Sequence, residues 1–385
     1  MDSLIHKYAR KLVSQGLADE GEPLIGQVDA DVEWNREAPE IGALTGVMGS
    51  LNMLSILFSR PAEPYGSIID VLAERALLSG SVLRPEDSES RTFLHEIPVI
   101  DSFSEKALVE ALKKRKTVIV RGKGVVAYGT VSPEQAFVLF SSVCFSSYVK
   151  FFADYYFNRD EKAAGLVEKA VGSYGGFIGS VDYSPKARGP YGSVGEVVSA
   201  IDEAGSLTVR SRMVDSFFGN VSSIFGDTIF ISQTGSSLDE LAGHIDPCPL
   251  DGRSTAPITA SSELSAHRAI YSTTGEKTVL HGHPKFSVIM SMLCDEADCR
   301  NRGRCHVKCE KKRFINDVPI VPGEVGTGPT GLCNTMPPAI KGNRGAIVYG
   351  HGLFTTGRMD FTDAFSNLTG IERMCLEEYI SAAGI

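Results

Sequence analysis

Short apolar runs and longer amphipathic segments alternate along this chain. The apolar runs at residues 118–120 and 346–348 each stop just before a glycine turn, and this pattern predicts buried strands. A second short apolar run follows each turn, and a segment with helical spacing of its apolar positions comes next. Strands that alternate with amphipathic helices predict a chain of the α/β class.

This strand–turn–strand–helix pattern occurs twice. Residues 118–129 align with residues 346–357, and pairing Lys123 with His351 gives the offset, 351 − 123 = 228. Three further pairs of segments match in the same order: Ala136-Phe137 with Ala364-Phe365, residues 96–99 with residues 317–320, and residues 57–61 with residues 280–284. The repetition predicts two copies of one α/β unit. Chance similarity of two strand–turn–helix segments is the alternative interpretation.

The two copies predict two domains. A stretch rich in glycine, proline and serine at residues 171–193 is typical of a linker. We therefore predict one domain at residues 1–170 and a second at residues 194–385. A chain of 385 residues is long enough for two domains, each with its own core.

Three of the eight histidines, His281, His283 and His351, lie in two short apolar-flanked motifs. Side chains at positions i and i+2 of a strand share a face, so the first two imidazoles can reach one metal ion. A third imidazole from another strand end leaves one position open, as in a catalytic zinc or similar divalent site. Satisfied core or surface histidines are the alternative. The first copy has Lys123 in place of His351 and no histidine at residues 57–61, which favours a chemical role.

A predicted helix start in the second copy is suited to an anion. Ser261 and Ser262 precede an amphipathic segment at residues 264–271, and a helix start carries free N–H groups and partial positive charge. A phosphate could bind there, and ordinary helix capping is the alternative. Glu263 is expected one residue inside the helix, as a metal ligand, a general base or an ordinary first-turn acid. His267 shares its face and is interpreted as structural.

Five short motifs follow one another between residue 194 and the C-terminus. They are Gly219-Asn220-Val221-Ser222, Gln233-Thr234-Gly235, Ser261-Ser262-Glu263, His281-Gly282-His283-Pro284 and Gly350-His351-Gly352. In this order they resemble the class II aldolase/adducin family, which includes fuculose- and rhamnulose-phosphate aldolases, ribulose-phosphate 4-epimerase and methylthioribulose-phosphate dehydratase. The resemblance implies tandem three-layer α/β/α domains of this kind, the N-terminal one degenerate.

The resemblance also implies which residues are functional. It makes His281, His283 and His351 the ligands of a divalent metal, usually zinc, and Glu263 the catalytic acid or base. Phosphate-binding positions fall on five residues: Asn220, Thr234, Gly235, Ser261 and Ser262. The chain departs from the family at residues 232–235, which read Ser-Gln-Thr-Gly where many members have Thr-Pro-Ser/Thr-Gly.

The implied activity is that of a metal-dependent lyase of the aldolase or dehydratase type. Its substrate would be a small, phosphorylated hydroxy-carbonyl or sugar compound, converted through a metal-stabilised enediolate. Epimerase members carry aspartate at the position of Glu263, so a sugar-phosphate epimerase is the less favoured enzyme. A non-catalytic, adducin-like assembly module is the competing interpretation. Family members form four-fold rings, which implies a homo-oligomer such as a dimer of two-domain chains.

An insertion after the second histidine carries four cysteines within sixteen residues (309 − 294 + 1 = 16): Cys294, Cys299, Cys305 and Cys309. Four thiolates could form a closed zinc site or hold an iron–sulfur cluster, and a loop with free thiols is the alternative. Basic residues crowd the same segment, and a solvated face explains them better than recruitment of a phosphorylated substrate, a nucleotide or an acidic partner protein. They are Arg300, Arg302, Arg304, Lys308, Lys311, Lys312 and Arg313.

Composition limits the other functional classes. A net charge of −9 gives no global attraction to nucleic acid or anionic lipid, so neither is an expected partner. No apolar stretch is expected to be long enough to cross a membrane, and the first residues lack the pattern of a signal peptide. Eight cysteines without such a signal favour reduced thiols or metal ligands over disulfides. We therefore expect a cytoplasmic protein that acts on a small molecule.

Overall fold

The structure of the chain is a computed structural model that describes residues 3–181, 184–215, 217–296 and 298–385. The chain divides into two compact units, Met1–Ala170 and Val171–Ile385. Each unit combines helices with one mixed β-sheet, so the predicted α/β class is confirmed.

The N-terminal unit alternates short strands with helices. Its helices are α1 (Leu4–Ser14), α2 (Ile41–Leu51), α3 (Tyr65–Leu78), α4 (Ser88–Phe93), α5 (Glu105–Leu112), α6 (Pro133–Asn158) and the first half of α7 (Glu161–Ser180). Its strands are β1 (Leu24–Val28), β2 (Val32–Trp34), β3 (Ser55–Ser59), β4 (Val82–Leu83), β5 (Ile97–Ile100), β6 (Thr117–Val120) and β7 (Gly124–Gly129).

These strands form one sheet in the order β2-β1-β3-β7-β6-β5-β4. β5 and β6 are parallel, and the other neighbouring pairs are antiparallel. Leu44 on α2 and Leu108 on α5 are buried in one core cluster with Ile56 and Val118 of the sheet. Apolar positions two residues apart on the strands therefore supply the face that these two helices cover.

The C-terminal unit repeats this alternation. Its helices are α8 (Val194–Arg210), α9 (Leu264–Thr274), α10 (Lys285–Met292), α11 (Leu332–Ile340) and α12 (Phe361–Ala383), with a short 3-10 turn at Ala256–Ile258. Its strands are β8 (Asn220–Phe225), β9 (Thr228–Ser232), β10 (Ile245–Pro249), β11 (Thr278–Gly282), β12 (Arg313–Ile315), β13 (Val318–Val321), β14 (Gly345–Val348) and β15 (Gly352–Gly357).

The strands of the C-terminal unit form one sheet in the order β10-β9-β8-β11-β15-β14-β13-β12. α9 and α11 cover one face, where Ile270 and Met336 share a core cluster with Phe354 of β15. The next residue on β15, Thr355, points to the opposite face and donates a hydrogen bond to the carbonyl oxygen of Ala364 on α12. The unit therefore has an α/β/α layering, and Phe354 faces the α9 side.

All seven strands of the N-terminal sheet have counterparts in the C-terminal sheet, with the same order and direction. The pairs β3/β11, β7/β15, β6/β14 and β5/β13 have the same neighbours, and β5–β6 and β13–β14 are the parallel pairs. Thr117 pairs with Ala127 and Gly345 with Thr355, both 228 residues further on (345 − 117 = 355 − 127). The sequence repeat is thus a repeat of strand order and register. In that register the counterparts of the three histidines are Phe58, Arg60 and Lys123.

The predicted linker is wrong over its first part. Residues 171–180 form the second half of α7, and Val171, Tyr174 and Ile178 are buried. The glycines of this segment do not end the helix, because apolar residues at helical spacing give it a buried face. Asp182 and Tyr183 lie outside the described residues, and the other described residues from 181 to 193 lie outside helices and strands.

The expectation that no segment is long and apolar enough to cross a membrane is also wrong. Among the described residues, α6 meets that criterion by length and composition. In this structure most of its apolar segment is buried, and α6 packs on β3 and β7. A central core helix has the same composition, because it is apolar on every side.

Candidate active site

Three histidines meet where β11 ends and β15 begins. His281 lies on β11, His283 follows the last residue of that strand, and His351 lies in the turn before β15. The two strands are antiparallel neighbours, so the end of one lies beside the start of the other. The Nε2 atoms of His281 and His283 are 3.1 Å apart, and one ligand atom from each of the three histidines lies within 4.8 Å of the others. The structure brings the predicted triad together.

The ring of His281 is fixed from both sides. Its Nδ1 donates a hydrogen bond to the carbonyl oxygen of Leu353 at 3.2 Å, which leaves the lone pair on Nε2 for a cation. The ring also stacks on Phe354, with 4.0 Å between centroids. A Cβ atom at Gly352 would lie 2.6 Å from the His281 ring and 2.8 Å from that of His283, so the start of β15 must be glycine.

His281 and His283 are uncharged at neutral pH. Burial lowers the pKa of His281 to about 4 and lowers the pKa of His283 well below its ordinary value. A neutral imidazole offers a lone pair on one ring nitrogen, and this is the form that binds metals. The buried pair therefore favours a metal ion over an added proton.

Glu263 approaches the triad from the start of α9. Its Oε1 lies 3.4 Å from Nε2 of His351 and its Oε2 lies 3.5 Å from Nε2 of His281. Burial raises the pKa of this carboxyl, but the two imidazoles and the amide of Asn220 outweigh burial, so the pKa is lowered. Oε1 has no hydrogen-bond partner among the described residues. An ionised, buried oxygen beside three imidazoles is satisfied by a divalent cation, so these residues fit a metal.

Glu263 lies one residue earlier than predicted. α9 begins at Leu264, so Glu263 is its N-cap residue rather than part of its first turn, and its side chain makes no capping hydrogen bond. The carboxylate instead accepts a hydrogen bond from Nδ2 of Asn220 at 2.7 Å. Oδ1 of Asn220 is 2.5 Å from Nε2 of His267, so both ends of the Asn220 amide are engaged. Phosphate binding by Asn220 stays a prediction.

The other residues predicted to bind phosphate lie around the start of α9. Oγ1 of Thr234 accepts the N–H of Ser262 and donates to the carbonyl oxygen of Ala260, both at 3.0 Å. Oγ of Ser261 accepts the N–H of Glu263 at 3.3 Å. Gly235 has a φ of +70°, which glycine adopts without strain. The structure thus joins the turn after β9 to the start of α9, and phosphate binding there stays a prediction.

Residues 199–379 match the model of the family described as "Class II Aldolase and Adducin N-terminal domain". The C-terminal unit belongs to this family. The matched segment contains Glu263 and all three histidines. Membership of the class II aldolase/adducin family supports a lyase or aldolase type of function, and class II aldolases typically depend on a divalent metal.

Solved structures of class II aldolases are also similar to about half of this chain. L-Fuculose-1-phosphate aldolase from Thermus thermophilus is 20% identical and covers 48% of this chain and 91% of its own, with a TM-score of 0.36. The sugar-phosphate aldolase from Thermotoga maritima is 16% identical and covers 48% of this chain and 94% of its own, with a TM-score of 0.36. No curated protein sequence matches the chain.

Two buried side chains of the class II aldolase/adducin unit were missed as partners of the site. His267 was interpreted as structural, yet it is hydrogen bonded to Asn220, and its spacing of four residues from Glu263 was the available signal. Glu372 on α12 accepts hydrogen bonds from the backbone N–H groups of Phe286 and Ser287 at 2.7 and 2.8 Å. These amides open α10, directly after His283, and no sequence pattern indicated a contact across 85 residues.

The four cysteines of the insertion lie between α10 and β12 with free thiols. Arg313 closes the base of this loop by donating to the carbonyl oxygens of Ser291 and Leu293. Burial, followed by the neighbouring thiol of Cys305, raises the pKa of Tyr349 to about 12, so the loop reaches the turn that holds His351. Among the described residues, only the histidine triad gathers three or more potential ligands within 4.8 Å. Metal binding by the cysteines therefore stays a prediction.

Proposed function

We propose that the C-terminal unit is a metal-dependent lyase, of aldolase or dehydratase type, for a small phosphorylated hydroxy-carbonyl or sugar compound. The observation that carries the proposal is the buried triad of His281, His283 and His351 beside Oε1 of Glu263, which accepts no hydrogen bond from the described residues. A purely structural site would be expected to saturate its ligands, whereas three imidazoles leave room for water or substrate.

Each residue then has a distinct role. The three histidines would hold the ion through ring nitrogens, which burial keeps neutral in His281 and His283, and zinc is the ion that suits this ligand type. The ion, when bound, would polarise the carbonyl of the substrate and stabilise the enediolate charge that develops there. Glu263 has a lowered pKa and one oxygen that accepts no hydrogen bond from the part of the chain that the structure describes, which suits it to take and return a proton.

The substrate phosphate is assigned to the start of α9. Gly235, Ser261 and Ser262 lie beside a helix N-terminus, whose N–H groups and partial positive charge favour an anion. Asn220 and Thr234 complete the predicted set, although both already make hydrogen bonds within the protein. Phosphate binding at this end orients the substrate and leaves the chemistry to Glu263 and the ion.

A panel of sugar phosphates, scored for carbonyl products with and without chelator, tests this function. We expect turnover that the chelator abolishes, and Glu263→Gln should lower it about 10²- to 10⁴-fold because the proton carrier is lost. Glu40→Gln is the matched control, since Glu40 precedes α2 as Glu263 precedes α9. Turnover that survives both the chelator and Glu263→Gln would contradict the proposal. So would metal-loaded protein that turns over no compound of the panel.

The N-terminal unit is proposed as a degenerate copy that does not bind the metal. Phe58, Arg60 and Lys123 occupy the positions of the three histidines, and none of them is a usual ligand of zinc. Its proposed role is assembly, as in an adducin-like module, within a cytoplasmic homo-oligomer of this chain. Light scattering tests the oligomer, and a stable monomer at micromolar concentration would rule it out.

The insertion is proposed as a second metal site, zinc or iron–sulfur, formed by Cys294, Cys299, Cys305 and Cys309. The four cysteines lie in the loop between α10 and β12, and four thiolates that close together along the chain can hold one zinc ion or one cluster. Serine at all four positions should remove one ion or cluster per chain and spare the histidine-bound ion. Cys333→Ser, outside the insertion, is the matched control. Unchanged metal and sulfide content in the fourfold variant would exclude the site.

A further inference from the structure

A buried chain of hydrogen bonds leads from Glu263 away from the triad. Asn220 donates from Nδ2 to Oε2 of Glu263 at 2.7 Å. Nε2 of His267 lies 2.5 Å from Oδ1 of Asn220, and Nδ1 of His267 lies 2.7 Å from Oγ of Ser222. Oγ of Ser222 is in turn 2.6 Å from the hydroxyl of Tyr271. All five side chains are buried.

With a neutral His267, only one direction of donation satisfies every link. The carboxylate of Glu263 accepts, so Asn220 must present its NH₂ group there and its carbonyl oxygen to His267. His267 must then carry its proton on Nε2 and accept at Nδ1 from the hydroxyl of Ser222. Ser222 has used its single proton, so Tyr271 donates to it. The chain therefore points every proton toward Glu263.

This arrangement makes the two oxygens of Glu263 different. Oε2 accepts from Asn220, whereas Oε1 has no hydrogen-bond partner among the described residues and lies 3.4 Å from Nε2 of His351. Without the chain, the carboxylate could rotate and exchange its oxygens. With it, one oxygen is held by the protein and the other is turned to the triad.

The N-terminal unit lacks the chain at the same positions. Strand register makes Leu24 the counterpart of Asn220 and Gly26 that of Ser222. α2 and α9 each have eleven residues and are each followed by three residues before the next strand, which makes Leu44 and Met48 the counterparts of His267 and Tyr271. Leu24, Leu44 and Met48 lie in the apolar core of their unit.

The comparison argues against a role in folding. The same strand order and the same helix position are built in the N-terminal unit with apolar side chains. Burying four polar side chains instead is unfavourable unless each is hydrogen bonded, and it adds nothing that the fold requires. The polar chain is present in the unit that has the three histidines and absent from the corresponding positions of the other unit.

We propose that Asn220, Ser222, His267 and Tyr271 form a positioning relay that holds Oε2 of Glu263 and reserves Oε1 for the ion and for proton transfer. The assignment rests on the proposed function of the triad and of Glu263. His267 is a positioning residue and not a ligand, because both of its ring nitrogens are used within the relay. Burial also lowers the pKa of His267 to about 3, so the ring keeps one neutral form near neutral pH.

The first test follows the proton on His267 and needs no metal. The metal-free protein, labelled with ¹⁵N-histidine, is examined by NMR at pH 7, and His267→Gln identifies the resonance. We expect a neutral ring with its proton on Nε2. A charged ring, or a proton on Nδ1, would overturn the relay whatever the protein catalyses.

The second test uses Co²⁺ as the probe and compares two substitutions. His267→Leu introduces the residue of the N-terminal unit, whereas His267→Gln keeps an N–H donor toward Asn220. We expect His267→Leu to retain about one Co²⁺ per chain but to bind it about 10-fold or more weakly, with altered visible absorption. His267→Gln should restore the affinity to within about 3-fold and restore the spectrum.

The outcomes separate the relay from the proposed function. A folded His267→Leu protein with unchanged Co²⁺ affinity and spectrum would overturn the relay and leave the metal centre standing. Should His267→Leu not fold, Tyr271→Phe decides, because it removes only the last donor and should shift the spectrum in the same direction; no shift would count against the relay. Failure of the unaltered chain to bind Co²⁺ would overturn the proposed function, and the NMR result would still judge the relay.

Discussion

After β3 the N-terminal unit carries Arg60, and at the corresponding turn after β11 the C-terminal unit carries His283. Arg60 donates to Oδ2 of Asp70 at 2.9 Å, and Oδ1 of Asp70 accepts the N–H of Gly122 at 3.1 Å. Gly122 is the counterpart of Gly350 in the turn that holds His351. Asp70, on α3, therefore joins two turns of the N-terminal unit. The corresponding two turns of the C-terminal unit carry His283 and His351.

The two units share the backbone around the site and differ in the side chains that it carries. Strand order, register and the glycines Gly122 and Gly350, both with positive φ, are common to the two units. The acid before the helix is also common, since Glu40 matches Glu263, but Glu40 is only partly buried. The imidazoles and the relay behind Glu263 occur in one unit. Backbone geometry thus survives without the chemistry, and the chemistry is carried by side chains that the fold can replace.

The largest effect is expected from removing two ligands. His281→Ala/His283→Ala should lower the bound divalent ion from about one per chain to background, because a single remaining imidazole cannot hold it. Arg60→Ala/Lys123→Ala changes the corresponding turns of the N-terminal unit and should leave the ion in place. Elemental analysis after gel filtration measures both. Retention of the ion in the first variant, or its loss in the second, would contradict the assignment of the metal site to the histidines of the C-terminal unit.

Glu372 should matter more for stability than any exposed acid of the C-terminal unit. Its buried carboxylate also accepts from the hydroxyls of Tyr174 and Ser287, both at 2.8 Å. Glu372→Ala leaves these donors and the first amides of α10 unpaired, and we expect a loss of about 3 kcal/mol in the free energy of unfolding. Urea unfolding followed by circular dichroism measures it. Glu377→Ala, on an exposed position of α12, should change it by less than about 0.5 kcal/mol.

The N-terminal unit buries a carboxylate that is less well satisfied. Burial raises the pKa of Asp87 to about 6, and among the described residues only Oδ1 accepts a hydrogen bond, from the N–H of Ser90. A pKa that folding raises means that stability is greatest below the ordinary pKa of about 4 and falls as pH rises to about 6. Asp87→Asn should abolish this fall and be about 1 to 2 kcal/mol more stable at pH 7.5.

Fluorescence of Trp34, the single tryptophan, follows unfolding of the unit that contains Asp87. The comparison at pH 4 is the internal control, because the carboxyl of the unaltered protein is then largely protonated when folded. Equal stability at both pH values, or a variant that is weaker at pH 7.5, would contradict the assignment.

The smallest effect is expected where Asp70 joins the two N-terminal turns. Asp70→Ala removes the ion pair with Arg60 and the hydrogen bond to Gly122, and both side chains of the pair are about one-third exposed. We expect a loss of about 1 kcal/mol, measured through Trp34 fluorescence in urea. Asp317→Asn breaks a more exposed ion pair with Arg344 in the C-terminal unit, and urea unfolding followed by circular dichroism should show a smaller loss there. A loss of several kcal/mol would mean that the turns depend on this bridge far more than its exposure suggests.

Much of the site could be predicted because its spacing along the chain is short. The offset of 228 between the repeats agrees with the pairing of equivalent strands in the two sheets. His281 and His283 are two positions apart, and this spacing brings both imidazoles together. The predicted linker failed over residues 171–180, because its glycines were judged by composition while burial of Tyr174 decided the helix. The apolar length of α6 was missed in the same way.

The sequence by itself determined the α/β class, the repeat, the triad and the place of Glu263 to within one residue, since each depends on local periodicity or on adjacent positions. Tertiary structure alone decided that Oε1 of Glu263 lacks a partner among the described residues, that His267 reaches Glu263 through Asn220, and that Glu372 holds the start of α10. These contacts join residues that are 43 to 86 positions apart. Hydrogen bonds over such separations depend on which faces the sheet and helices present to each other, and no local pattern encodes that.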